Sequence, residues 1–243
     1  MTLTEIVYDI REKISETVDD SDITDRYIIF EFNAQRELML KNEFNKNHRA
    51  VDIQYQQSFC VDMEVASASD CNCDDLTCGI MRTVKQMPMF VRLHGGPLIT
   101  RVGPYNDRSA LPFSYVDYNR AIRSGYDQFT EDTVYAFLYT DGRIYLKSGN
   151  KLVNAIQKLN ISGVFANPLD ANNYDNCNLT NANDPCFDPV KTRYPVTGDL
   201  YVYIREQVIE QLLRKLAKGE DLKNDSGLAI NMSIPKRQSN SNE

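Results

Sequence analysis

Two runs of apolar residues at helical spacing fill the first 46 positions, and they restrict the chain to folds that bury two amphipathic helices. In the first run Leu3, Ile6, Val7, Ile10, Ile14 and Val18 recur every three or four residues, leaving Asp9, Arg11, Glu12, Lys13 and Glu16 mainly on the other face. Thr2 stands three residues before Glu5, the spacing of a capping box that satisfies the first orphan amides of a helix. The acidic turn Asp19-Asp20-Ser21-Asp22 interrupts the period, and Ser21 or Asp22 supplies a cap for a second helix. That helix runs to about Lys46, with Ile23, Tyr27, Phe30, Ala34 and Leu38 expected along one stripe.

The next hundred residues change period. Between residues 50 and 66 the apolar positions alternate, and short strand-like segments follow at 80–84, 89–93 and 98–102, punctuated by Pro88, His94-Gly95-Gly96-Pro97 and Gly103-Pro104. Residues 113–124 read as a short helix. Residues 133–140 and 143–147 flank Asp141-Gly142, the dipeptide of a type I′ hairpin. Residues 160–165 form another strand, and the Asn-rich stretch 170–192 reads as a surface loop. A closing helix begins near Asp199, carries Tyr201, Ile204, Val208, Leu212 and Leu216 on one stripe, and ends at Gly219. The expected fold is α+β. Residues 1–48 plus 195–220 make a helical bundle, 49–194 a β-rich middle region, and 221–243 an extended tail.

Composition removes several functions. The net charge is −7, and no cluster of Lys and Arg appears before Lys236-Arg237, so a protein that grips nucleic acid is excluded while a conduit that DNA slides through is not. No apolar run approaches the roughly 20 residues that span a bilayer, and no basic-then-apolar leader opens the chain. Synthesis in a cytoplasm is the expectation. The two histidines, His48 and His94, lack the spacing of a zinc hydrolase. His94-Gly95-Gly96 resembles an esterase oxyanion loop only in isolation, because no G-x-S-x-G elbow accompanies it, and a strand-to-strand turn explains the glycines. No phosphate-binding glycine loop is present, and no residue is expected to be catalytic. Fourteen tyrosines and no tryptophan suit surfaces that are apolar on one side and wet on the other.

Six cysteines leave one open question. Cys71, Cys73 and Cys78 are the dense group, and with Cys177 and Cys186 they are the candidates for a four-thiolate metal site or a cross-loop disulfide. Their spacing departs from paired Cys-x2–4-Cys units, so no metal or cofactor is expected, and free thiols are the default in a reducing cytoplasm.

The opening residues 1–7, with Asp22-Ile23-Thr24-Asp25-Arg26-Tyr27-Ile28-Ile29-Phe30 and Asn33-Ala34-Gln35-Arg36-Glu37-Leu38, resemble the N-terminal helices of head–tail connector (adaptor) proteins of tailed phages. Residues 133–147, 161–168, 194–195 and 223–226 resemble structural ring proteins of crAss-like phages. Adaptors of the first kind have a smaller middle region. The resemblance implies a non-enzymatic virion protein in the neck or tail barrel. Its expected partners are copies of itself in a twelve-fold ring, the portal protein or adjacent tail rings, and passing genomic DNA that it does not read. Neighbours would then meet through the helices, with Tyr27, Phe30, Leu38, Tyr201, Val208 and Leu212 as interface candidates, and the tail after Asp225 reaching along a partner. The competing reading is a tail-fibre-associated or other β-rich binding module of the virion.

Overall fold

The computed structural model describes residues 1–17, 23–47, 52–67, 80–105, 111–123, 132–175, 177 and 191–228. Helix α1 (Leu3–Ser15) opens with the expected capping box: the Thr2 hydroxyl accepts from the Glu5 amide at 3.3 Å, and the Thr2 amide donates to the Glu5 carboxylate at 2.9 Å. Leu3, Ile6, Val7, Ile10 and Ile14 are its buried face. Helix α2 (Asp25–Asn47) is capped by Thr24, whose hydroxyl receives the Tyr27 amide, so Ser21 and Asp22 lie outside both the helix and the described residues.

The buried row of α2 differs from the expected stripe. Ile28, Phe32, Arg36, Leu40 and Phe44 face inward, whereas Phe30 and Leu38 are 65% and 48% exposed. A charged residue occupies the middle of the true core row, so hydropathy alone favours the neighbouring row, which is uniformly apolar.

A seven-stranded sheet follows in the order β5-β9-β1-β2-β8-β7-β6. It consists of β1 (Gln57–Val65), β2 (Met81–Thr83), β5 (Ile99–Pro104), β6 (Phe113–Tyr115), β7 (Val134–Leu138), β8 (Ile144–Lys147) and β9 (Lys158–Gly163). Strand β1 is the axis: its first six residues pair with β9 and its last three with β2. The edge strands β5 and β6 approach each other, so the sheet is nearly closed. All pairings are antiparallel except β6 with β7, which are joined through the short helix α3 (Tyr118–Arg123) as a βαβ unit. Residues 113–124 therefore begin as a strand and only then turn helical. A two-stranded ribbon, β3 (Arg92–Leu93) with β4 (Gly96–Pro97), turns over His94-Gly95, which makes the His-Gly-Gly stretch a hairpin.

The Asp141-Gly142 hairpin exists but holds three loop residues, not two. Tyr139 and Arg143 still pair, the Gly142 amide bonds the Tyr139 carbonyl at 3.0 Å, and Gly142 alone takes the positive φ of 76°. That is the pattern of a type I turn closed by a glycine bulge. The Asp141 carboxylate accepts from the Arg143 amide and from the Tyr145 hydroxyl, which holds the bulge in place. Gly163, at the end of β9, is required for another reason. A Cβ there would stand 2.8 Å from the Leu98 carbonyl and from the Phe90 ring.

Helix α4 (Gly198–Leu228) runs straight through Gly219, so residues 221–228, expected as extended tail, are helix. Its inward residues Tyr201, Ile204, Val208 and Leu212 share one apolar cluster with α1, α2 and the inward positions of β1, β2, β5, β7, β8 and β9. The core does not part between helices and sheet. A smaller cluster under α3 (Val116, Ala121, Phe137, Tyr145) covers the outer face of β7 and β8.

The two layers are fastened at Arg36, which is fully buried. Its Nε donates to the Pro195 carbonyl at 2.9 Å and its Nη1 to the Phe165 carbonyl at 2.8 Å. The guanidinium also faces the Tyr194 ring, 5.7 Å from its centroid. Burial disfavours the charge and lowers the pKa from the ordinary arginine value. Arg36→Met would leave two buried carbonyls without donors, each costing about 1–3 kcal/mol, offset in part by relief of the desolvated charge. The expected net loss is about 2–4 kcal/mol, read as a lower urea midpoint with an unchanged m value. Arg36→Lys recovers little of it, because an ammonium lacks the planar fork that reaches both carbonyls.

Candidate functional site

The three long helices present the candidate interface, and their mutual geometry decides which residues are available. The start of α4 lies beside the C-terminal half of α2, where Leu200 packs on the cluster containing Leu40 and Phe44. At the far end the Lys215 ammonium donates to the Tyr27 hydroxyl and, at 2.6 Å, to Glu31. α2 and α4 are thus antiparallel. α1 runs alongside α4 in the same sense: the Tyr194 amide bonds the Met1 carbonyl, and further along Asp9 receives the Tyr201 hydroxyl and, at 3.3 Å, the Arg205 guanidinium.

These polar links sit at the bundle's seams. Burial opposes ionisation of Asp9, yet Tyr201 and Arg205 outweigh it and hold the carboxyl below the usual carboxylate range. Glu31 is likewise desolvated and likewise held low by Lys215 and Tyr27. Burial and the Asp9 partner push the Tyr201 hydroxyl up. A second network crosses from α2 to the 3-10 turn Pro168–Asn173. Here the Tyr194 hydroxyl donates to Asn33, the Asn33 amide donates to Asn167 at 3.0 Å, and Asn167 donates to Asp170 at 2.8 Å. Burial fixes Tyr194 as the neutral phenol, its pKa pushed up to about 12.

The six interface candidates therefore divide. Tyr201, Val208 and Leu212 are buried against α1 and α2 in the chain's own core and present little surface to solvent. Tyr27 is half-buried at the α2–α4 seam, packed against the main apolar cluster. Phe30 and Leu38, eight residues apart on α2 with exposed Ala34 between them, form an apolar ridge open to solvent. The periodicity that misplaced the core row thus points to a real surface feature. Tyr8 on α1, Val202 and Tyr203 on α4, and Met89 beyond β2 are further large exposed apolar residues that the helical pattern did not single out.

The cysteine expectation is corrected. Cys60, on β1, is bonded to Cys177, so Cys177 is no thiolate for a metal; Cys71, Cys73, Cys78 and Cys186 lie outside the described residues. The pairing follows from the sheet. The Cys60 amide donates to the Asp175 carbonyl at 3.0 Å, which lays residue 175 alongside β1 and brings the two Cα atoms within 5.1 Å. Cys60 stood apart from the dense cysteine group in sequence and gave no local signal of a partner 117 residues away. Among the described residues no group of three or more His, Cys, Asp or Glu side chains could hold a metal ion, and no helix is long and apolar enough to cross a membrane.

Two measurements probe these contacts. Asp9 and Glu31 carry folded-state pKa values below those of the unfolded chain, near 4, so their contacts stabilise the fold above that pH and are lost as pH falls through the lowered values. Asp9→Asn should therefore melt below the unmodified protein at pH 7, with the gap closing as pH falls through the lowered Asp9 value. For the disulfide, Cys60→Ser with Cys177→Ser should lower the melting temperature. The chain-entropy contribution of so long a loop is up to about 5 kcal/mol. Dithiothreitol should bring the unmodified protein down to the variant's value.

Comparison with known proteins places this arrangement. A family model described as phage tail ring protein 2 matches residues 5–229. The chain is similar to a protein described as Ring protein 2 of Bacteroides phage crAss001, with 24% identity over 172 residues, which is 70% of this chain and 73% of that relative.

Proposed function

The chain belongs to the phage tail ring protein 2 family, and from that premise we propose that it assembles into a closed homo-oligomeric ring in the neck or tail barrel of the virion. The ring has twelve copies, following the symmetry of the portal. It links the portal, directly or through neighbouring rings, to the tail and continues the channel through which the genome leaves. The role is structural, with no reaction catalysed, and the ring sits in the virion after synthesis in the host cytoplasm.

The observation that carries the reading is the ridge of Phe30, Ala34 and Leu38 on α2. Two large apolar side chains stand open to solvent on a helix whose opposite row is fully packed. Covering the exposed part of each by a neighbour would contribute roughly 1–2 kcal/mol. A heterologous contact of this kind, repeated by rotation, closes into a ring. The charge of −7 supports passage of DNA, since an acidic wall neutralises few phosphates and does not retain the duplex.

Negative-stain imaging of the purified protein, alone and mixed with isolated portal complexes, tests the ring and its position together. Rings of matching symmetry are expected; a monomer that ignores the portal in every mixture would remove both. Phe30→Asp with Leu38→Asp should abolish rings while leaving the cooperative melt within a few degrees of the unmodified protein, because both side chains are exposed in the subunit. Val208→Asp is the contrasting control. It buries a charge in the core and should unfold the subunit. Rings that survive the double α2 substitution would show that neighbours meet elsewhere.

A further inference from the structure

A cleft of about 530 Å³ opens between α2 and the segment that follows β2. Met87, Met89, Phe90, Pro97 and Leu138 supply apolar walls, and the Glu37–Lys41 ion pair lies on its rim. Its size falls in the range of sites that take a ligand or a few side chains, about 300–1,000 Å³. Met89 is 71% exposed at the cleft, and methionine is the side chain best able to reshape around an incoming apolar group.

The chain contains a segment that suits this cleft, and it lies past the end of α4. Ile230, Met232 and Ile234 alternate with Asn231 and Ser233 and stop at Pro235, the period-two pattern of an extended segment with one apolar side. Lys236 and Arg237 follow, opposed by Glu243 alone, so this end is cationic on a chain whose net charge is −7.

Helix length decides whose cleft the segment meets. Leu200, near the start of α4, packs on the Leu40 cluster, which places it at the level of the cleft. From there α4 continues without a break to Leu228. At 1.5 Å per residue it carries the chain about 42 Å away. The six residues from Leu228 to Ile234 reach back at most about 21 Å, even fully extended. A subunit cannot fill its own cleft with these residues.

We propose that residues 230–234 of one subunit dock in the α2 cleft of an adjacent copy, with Ile230, Met232 and Ile234 against Met89, Phe90 and Leu138. Each copy then gives one arm and receives one, which is the head-to-tail relation of a ring. The docking rests on the ring reading and specifies a second, separable contact within it. α4 spans the distance between copies, and the arm's apolar side is buried when it docks.

The test uses the full chain with a photoreactive p-benzoylphenylalanine at position 232, mixed in equal parts from unlabelled and 15N-labelled preparations. After irradiation and digestion, adducts joining position 232 to peptides within residues 87–97, half of them with one light and one heavy partner, are expected. Met89→Asp, at an exposed position, should reduce those adducts at least five-fold without changing the circular dichroism. Removal of residues 229–243 should weaken self-association at least ten-fold. Adducts confined to one isotopic label, adducts to other surfaces, or rings that form equally well without residues 229–243 would each overturn the proposal. Imaging of the same samples reports on the ring itself. Rings without mixed-label adducts reject the arm and keep the ring, whereas mixed-label adducts without rings keep the arm and reject closure.

Discussion

Among the described residues one cation, Arg36, is fully buried, and the joining of helices to sheet depends on it. Arg36 projects from α2 into the interior and donates to carbonyls at Phe165, beyond the last strand of the sheet, and at Pro195, just before α4. Those carbonyls lie 129 and 159 residues along the chain from Arg36, and neither belongs to a helix or strand that would satisfy it otherwise. Burying a guanidinium without a carboxylate is costly, and it persists where the fork fits two acceptors that would themselves be orphaned. The neighbouring Tyr194 stacks edge-on against Phe32 at 5.6 Å and bonds Asn33, so Phe32, Asn33 and Arg36, on two successive turns of α2, grip the segment leading into α4. The helical layer and the sheet share one core because this seam holds them in register.

The same helix serves two purposes with two faces. Ile28, Phe32, Leu40 and Phe44 make the subunit, and Phe30 and Leu38, offset around the helix, are left over. A charged residue in an otherwise apolar packed row and an apolar ridge in the open one depart from the ordinary amphipathic arrangement. Such a departure is unfavourable for a solitary protein and sensible for a subunit whose outer face is to be covered. α4 shows the complementary economy. Its inward stripe ends near Leu216, level with the start of α2, yet the helix goes on to Leu228.

The Cys60–Cys177 bond ties the segment after the 3-10 turn Pro168–Asn173 back onto β1, across the region where the sheet's long connection begins. Lys158 adds ion pairs to Asp62 and Asp175 at 3.3 Å on the same seam. These exposed pairs contribute little by themselves.

The sequence by itself determined the α+β class, the α1 face from Leu3 to Ile14, the β8 hairpin and the inward stripe of α4, because each follows from local periodicity or from a turn dipeptide. It also carried the resemblance to phage ring proteins that the family match bears out. Tertiary structure alone decided the rotation of α2, the three-residue form of the hairpin loop and the partner of Cys60. It also settled which interface candidates are core and which are surface. The hairpin loop is a local matter of Tyr139 keeping its pairing with Arg143 across the turn. For the rest the physical reason is shared: Arg36 turns α2 to reach carbonyls more than 120 residues away, and Asp175 brings Cys177 to β1 through a backbone bridge. Contacts between distant segments leave no period in the sequence. They exist only once the chain has closed on itself.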